Sequence, residues 1–399
     1  MLFEFDDLAN QKAKLKVLGI GGGGGNAINR MIESGLSGVD FIAVNTDAQD
    51  LDRNLAPTKV QVGKELTRGL GAGALEDIGK QAIEADQQPV FNSINHSDMV
   101  FITAGMGGGT GTGAAPVIAK IAREQGCLTI AIVTKPFFFE GPKRMERAEK
   151  GIAELRKNVD TLIVIPNQRL LAIVDRKTSV REAFKTADSI LYQATKGISD
   201  LINHHGIINL DFADVKTIMK NQGDAIMGTG LAAGEERAAL AAQQAISSPL
   251  LDDMSIRGAN GLLINITGGE SMKLYEVDEA CGIITEEAGQ DANIIFGAVV
   301  DENMQDEIMI TVIATGFGKK PDIPDTPQTE QINEETEQTH VTQEVGLNQI
   351  QANIRETMDY PMDVENPSPK FEFEEPVAVT ESYNNTEIPA FLRRKMKIK

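Results

Sequence analysis

Predominantly apolar runs occupy residues 15–20, 39–45, 99–103, 128–134 and 161–165. Runs without polar alternation are the pattern of strands buried on both faces. Between them, apolar positions recur at helical spacing over 26–34, 75–85, 114–125 and 142–158, and the stretch 59–73 holds one more short strand. Strands alternating with helices predict a parallel sheet with helices on both faces. Two glycine runs, at 21–25 and 104–113, read as breaks between a strand and the helix after it.

One long helix is predicted over 179–203, where Val180, Phe184, Ala187, Leu191, Ala194 and Ile198 lie near helical spacing. The texture then changes. Strand-like segments at 224–228, 261–267, 293–300 and 307–315 mix with helix-like segments at 212–221, 235–246 and 274–289. This reads as a second, α+β domain. Residues 317–386 are rich in Pro, Glu, Gln and Thr, and four bases (Lys319, Lys320, Arg355, Lys370) oppose fifteen acids. Such a segment is expected to be disordered. Residues 387–399 differ, with five bases against Glu387 alone.

The expected fold class is therefore α/β: a Rossmann-like parallel sheet, a long central helix, a second α+β domain and a disordered C-terminal linker. The expected boundaries are 1–14 (an extension), 15–178 (ligand binding), 179–203 (central helix), 204–316 (second domain), 317–386 (acidic linker) and 387–399 (terminal peptide).

Length and charge remove several classes. A chain of 399 residues is long enough for two cores, and a net charge of −20 argues against a nucleic-acid partner. Cys127 and Cys281 are too few for a disulfide framework or a zinc site. His96, His204, His205 and His340 show no metal-ligand spacing, so no protein metal site is expected. The first eleven residues lack a signal-peptide pattern, and no apolar run is long enough to span a bilayer. A cytoplasmic protein with no direct membrane span is expected.

Candidate chemistry lies at the predicted strand ends. Residues 104–113 read Ala-Gly-Met-Gly-Gly-Gly-Thr-Gly-Thr-Gly and feed a helix N-terminus. A loop with so few side chains leaves backbone N–H groups free for an anion, and the helix dipole favours one. Gly19, Gly21 and Gly24 satisfy a Gly-x-Gly-x-x-Gly dinucleotide fingerprint, but a ribose-binding acid is missing where Asn45 closes the second strand. No Gly-x-x-x-x-Gly-Lys-[Ser/Thr] loop is present, which disfavours an ordinary P-loop NTPase. A third glycine loop lies at 68–73. An NAD(P)-dependent enzyme and a polymer that binds nucleotide without hydrolysing it remain as rival readings.

The motifs Gly-Gly-Gly-Gly-Gly-Asn at 21–26, Asn-Thr-Asp at 45–47 and Gly-Gly-Gly-Thr-Gly-Thr-Gly at 107–113 resemble the FtsZ family of bacterial cell-division proteins, relatives of tubulin. So do Thr-Lys-Pro-Phe-Phe-Phe-Glu-Gly at 134–141, Asn-Leu-Asp-Phe-Ala-Asp at 209–214 and Ile-Pro-Ala-Phe-Leu-Arg at 388–393. The resemblance covers 15–316 and the terminal peptide. It implies a GTP-dependent filament protein that organises the division ring at mid-cell, using GTP/GDP and Mg²⁺.

The resemblance assigns Gly22, Gly23, Gly24, Gly25 and Asn26 to the α-phosphate region. It gives Gly105, Gly108, Gly109, Thr110 and Gly111 to the β- and γ-phosphates, with Ala72 and Gly73 closing over the γ-phosphate. Thr134 and Asn167 belong to the same pocket, Glu140 to the ribose and Arg144 to the phosphates. For Glu140 and Arg144, four apart, the plainer reading is an exposed salt bridge. Phe184 and Asp188 share a helix face, so the ring can stack on a purine and the carboxylate can accept from guanine N1–H and N2–H₂.

Asn209, Asp211 and Asp214 lie far along the chain from these loops. By themselves they read equally well as a helix cap. The resemblance sends their loop into the next subunit's pocket, where Asp211 and Asp214 polarise the attacking water and Asn209 orients it or contacts the phosphates. Assembly is then a head-to-tail homopolymer. The terminal peptide is expected to dock on membrane-anchor and regulatory division proteins through Ile388, Pro389, Phe391, Leu392 and Arg393.

Overall fold

Strand residues here point alternately into two different cores. On β1 (Leu15–Ile20), Leu15 and Val17 join one buried cluster, Leu18 and Ile20 another. On β4 (Met99–Gly105), Met99 and Phe101 divide in the same way from Val100, Ile102 and Ala104. With both faces covered, neither side of the strand can be polar, and this produces the unbroken apolar runs.

The computed structural model describes residues 12–317 apart from 176, 204–205, 209 and 252–254. Most of the expected N-terminal extension, most of the linker and the terminal peptide lie outside the described residues. The remaining strands are β2 (Val39–Asn45), β3 (Thr58–Gln61), β5 (Leu128–Lys135), β6 (Thr161–Pro166), β7 (Gly223–Ala233), β8 (Gly261–Gly268), β9 (Asn293–Val300) and β10 (Glu307–Thr315). They form one ten-stranded sheet in the order β3-β2-β1-β4-β5-β6-β7-β10-β8-β9. Among the described strands only β10 runs antiparallel to its neighbours, β7 and β8.

The helices are α1 (Gly21–Glu33), α2 (Ala48–Arg53), α3 (Lys64–Thr67), α4 (Glu76–Ala85), α5 (Gln87–Ile94), α6 (Thr110–Glu124), α7 (Pro142–Arg156), α8 (Asn167–Leu170), α9 (Val180–Asn203), α10 (Phe212–Met219), α11 (Arg237–Ile246) and α12 (Leu274–Ala288). Helices α1 and α9 cover one face of the first six strands, and α4 to α7 the other. A third cluster packs α11 and α12 onto β8 and β10. No helix among the described residues is long and apolar enough to cross a membrane.

Three expectations need correction. Residues 21–25 do not separate strand from helix; they are the first turns of α1. Likewise α6 begins at Thr110 rather than at 114. Glycine usually weakens a helix, so its sequence signal reads as a break. Here it allows backbones to touch. A methyl on Gly24 would lie 2.3 Å from the Thr103 carbonyl oxygen, and one on Gly113 would lie 2.0 Å from the Glu76 carbonyl oxygen. Strand β7 is also longer than the expected 224–228, because pairing with β10 extends it to Ala233.

At the N-terminal edge of the sheet, buried Asp160 accepts from the backbone N–H of Thr129 at 2.9 Å and of Asn221 at 3.3 Å. This ties β5 and β6 to the turn that enters β7.

A Gly113→Ala substitution tests the backbone contact. In an open helix alanine is favoured by about 1 kcal/mol. Here the overlap with fixed backbone outweighs that, and stability in urea should fall by about 1–3 kcal/mol.

Candidate functional site

The C-terminal ends of β1, β4 and β5 open onto one edge of the sheet, where α1 and α6 begin. Neither helix has a side-chain cap at its N-terminus. Their first-turn N–H groups therefore have no intrahelical partner, and both dipoles place positive potential at this edge. The start of α1 and the end of β4 nearly touch: a methyl on Gly23 would lie 3.0 Å from the Cα of Gly105. Gly22, Gly23 and Asn26 are exposed there, whereas Gly24 and Gly25 are buried and serve packing. A methyl on Gly108 would meet nothing within 4 Å, so this part of the cradle is open backbone.

Hydrogen bonds hold the cradle in shape. The Gly107 N–H donates to Thr112 Oγ1 at 2.8 Å, and the Met106 N–H donates to the Thr134 carbonyl at 2.9 Å. Thr110 Oγ1 pairs with Thr46 Oγ1 at 2.7 Å, both side chains being buried, and Gly111 is buried behind it. Thr134 contributes from the end of β5, next to Gly105 in register on β4. Thr46 and Thr112 were not singled out in the sequence. Both stand inside quoted motifs, but a threonine that braces a loop looks there like any other threonine.

Loop 71–75 crosses this edge. Ala72 is buried against the cradle: a methyl on Gly109 would lie 2.8 Å from Ala72 Cβ. Gly73 has open space around it at φ +59°.

Aromatic residues lie after β5. Phe137 is fully buried, stacks on Phe139 at 5.0 Å and meets Phe184 edge-on at 5.3 Å. It is the buried support for Phe184, whose side chain remains 38% exposed. One turn along α9, burial raises the Asp188 carboxyl to a pKa of about 6, with Arg30 opposing the shift. Asn167, at the end of β6, is buried, and its Oδ1 has no hydrogen-bond partner among the described residues. An unpaired buried acceptor is costly unless a ligand donor satisfies it.

Glu140 and Arg144 do form an ion pair, at 3.1 Å, but not a wholly exposed one. The Glu140 side chain is only 9% exposed, and its Oε1 accepts from the Phe137 N–H at 2.8 Å. Arg144 also backs the cradle, because a methyl on Gly107 would lie 2.5 Å from the Arg144 carbonyl oxygen.

Asp211 and Asp214 are not part of this cluster. Asp211 caps α10, its Oδ1 accepting from the Asp214 N–H at 2.8 Å, and Asp214 Oδ2 accepts in return from the Asp211 N–H at 3.4 Å. Asn209 lies outside the described residues. Phe184 and Asp188 stand near the start of α9. At its other end, Asn203 Nδ2 donates to the carbonyl of Gly38, just before β2. The helix has 24 residues, about 36 Å. The chain continues from that far end to Asp211.

Comparison with known proteins identifies the family and the fold. Residues 14–175 match the model of the Tubulin/FtsZ family, GTPase domain, and residues 223–318 that of the FtsZ family, C-terminal domain. An FtsZ dimer from M. jannaschii is 45% identical over 77% of this chain and 90% of its own, with a TM-score of 0.75. A mutant of M. jannaschii FtsZ matches at 45% identity over 78% of this chain and 93% of its own, also with a TM-score of 0.75. A GTPγS-bound protofilament of CetZ2 from Haloferax volcanii shares the fold at 20% identity, covering 77% and 94% of the two chains with a TM-score of 0.65. The two family models and the 45% identity to a solved FtsZ place the activity: this chain belongs to the FtsZ family of tubulin-like GTPases.

Proposed function

We propose that this GTPase polymerises head-to-tail and hydrolyses GTP only where two copies meet, and that the filaments organise the bacterial division ring at mid-cell. The observation that carries the proposal is the separation along α9. The phosphate cradle lies near its first turns, and the Asp211/Asp214 pair follows its last. One chain cannot bring the two together without unfolding; a second copy stacked on the cradle can. Such a contact is heterologous and propagates as a filament. Leu70, Leu75, Phe138 and Phe139 are exposed near the cradle, as expected of a surface that a copy would cover. The similar FtsZ from M. jannaschii, solved as a dimer, supports the same reading.

In this reading Gly22, Gly23 and Asn26 bind the α-phosphate region, with Gly24 and Gly25 packed behind them. Gly105, Gly108, Gly109, Thr110 and Gly111 bind the β- and γ-phosphates, with Thr134 behind them. Ala72 and Gly73 close over the γ-phosphate. Glu140 holds the ribose, Arg144 steadies the phosphates, and Phe184, Asp188 and Asn167 hold guanine. The next copy's Asp211 and Asp214 orient and deprotonate water, assisted by Asn209. No group of three or more His, Cys, Asp or Glu among the described residues could hold a metal ion. Mg²⁺ is therefore proposed to ride on phosphate oxygens, where it neutralises their charge. Residues 15–178 then serve nucleotide binding, 179–203 the central helix and 204–316 assembly. From sequence alone, 317–386 is proposed as a tether and 387–399 as the docking peptide for membrane-anchor and regulatory division proteins.

GTPase activity per molecule should rise steeply with protein concentration; a flat titration would overturn the shared site. Asp214→Ala should retain GTP binding and lose about 100-fold or more in turnover. Mixing it with Gly109→Val, which blocks the cradle, should restore activity, because one of the two mixed contacts pairs an intact cradle with intact carboxylates.

Asp188 supplies a pH test. Its pKa in the folded chain, about 6, lies above the ordinary carboxyl value of 3.8, so ionisation costs stability that is fully present below about 4 and lost as pH rises through 6. Guanine needs the ionised carboxylate. GTP affinity should therefore fall about tenfold per pH unit below 6, and fluorescent-nucleotide titrations from pH 5 to 7.5 should show the slope flattened in Asp188→Asn.

A further inference from the structure

Loop 71–75 is held at both ends by backbone. Before it, the Ala48 N–H donates to the Gly69 carbonyl at 3.0 Å, and Asp47 bridges to Leu70. After it, α4 packs its first carbonyl against Gly113 of α6. Between these anchors the chain is strained. Gly71, Gly73 and Ala74 have φ of +82°, +59° and +60°, and for the alanine this is a left-handed conformation that costs energy. The Leu75 N–H donates to the Ala72 carbonyl at 3.0 Å and closes a turn over Gly73 and Ala74; a side chain braces that turn from outside.

The side chain that does so comes from α7. Arg147 Nη1 donates to the Ala74 carbonyl at 2.8 Å. Its Nε is buried with no hydrogen-bond partner among the described residues. The bond to Ala74 is the one hydrogen bond this guanidinium makes among the described residues. Three residues earlier on α7, Arg144 backs Gly107 of the cradle. Residues three apart share a helix face, so one face of α7 braces both the cradle and the loop that crosses it.

We infer that Arg147 is a positioning residue: by fixing the strained Ala74 carbonyl it holds Ala72 and Gly73 over the terminal phosphate and so sets the preference for GTP over GDP. The inference rests on the proposed assignment of Ala72 and Gly73 to the γ-phosphate. Arg147 itself touches no nucleotide in this scheme. A ligand that ends at the β-phosphate leaves the loop little to hold, whereas a third phosphate is gripped only while the loop is down.

The test uses the full-length chain at concentrations too low for assembly, with GTP and GDP affinities measured by competition against a fluorescent GDP analogue. Arg147→Ala should weaken GTP about tenfold, the scale of one charge-assisted hydrogen bond, and GDP less than twofold. The melting temperature should be nearly unchanged. Arg147→Lys, which keeps a charged donor, should recover most of the GTP affinity; it also serves if the alanine variant folds poorly. Equal weakening of both nucleotides, or none, overturns the inference. Gly73→Val, strained at φ +59°, separates the two layers of the argument. If it shifts the GTP:GDP ratio and Arg147→Ala does not, the loop assignment stands and the role of Arg147 falls. If neither shifts it, the loop assignment falls as well.

Discussion

Close contact between bare backbones is the constraint on which the site depends. Two helices begin at the same edge of the sheet, each with its first-turn N–H groups uncapped. Bringing both so close leaves no room for side chains, as the 3.0 Å approach of a Gly23 methyl to Gly105 illustrates. Two dipoles and a set of free donors then converge on one small space. Side chains arrange the cradle from behind: Thr112 beneath Gly107, Thr46 against Thr110, and Arg144 behind Gly107. Each would be an unremarked polar residue in a list of contacts. Together they determine where the backbone donors point.

The same constraint explains what could be read from sequence. Strands β1, β2, β9 and β10 stand at their expected boundaries, because burial on both faces or regular pairing leaves an uninterrupted pattern. The glycine runs misled, since propensity counts glycine as a helix breaker while packing here requires it inside a helix. Helices α2, α3, α5 and α8 were not anticipated; they are too short to show a period. At the site, motif residues were legible as motifs. Phe137 was not distinguished from its neighbours Phe138 and Phe139, although it is fully buried and they are 69% and 65% exposed. Three consecutive phenylalanines look alike until the chain turns after β5.

Helix α9 has a double relation to the site. Near its start, Phe184 rests against Phe137 and Asp188 is half-buried with a raised pKa. Farther along it becomes part of the main core through Leu191, Ala194 and Ile198. A helix anchored this firmly behaves as a spacer. It keeps the cradle and the carboxylate pair apart by a length that thermal motion cannot close, and the capping bonds of Asp211 and Asp214 keep those carboxylates oriented meanwhile.

Strand β10 has a consequence for how the chain comes to be built. Strands β1 to β6 pair with partners already made or soon to follow, so that part of the sheet can form as synthesis proceeds. Strands β7 and β8 cannot join each other, because β10, the last described strand in sequence, lies between them in the sheet. Until Thr315 emerges, the second half has two unpaired strand edges facing a gap. The last strand is thus a keystone: the half of the molecule that carries the carboxylate pair closes only when it arrives.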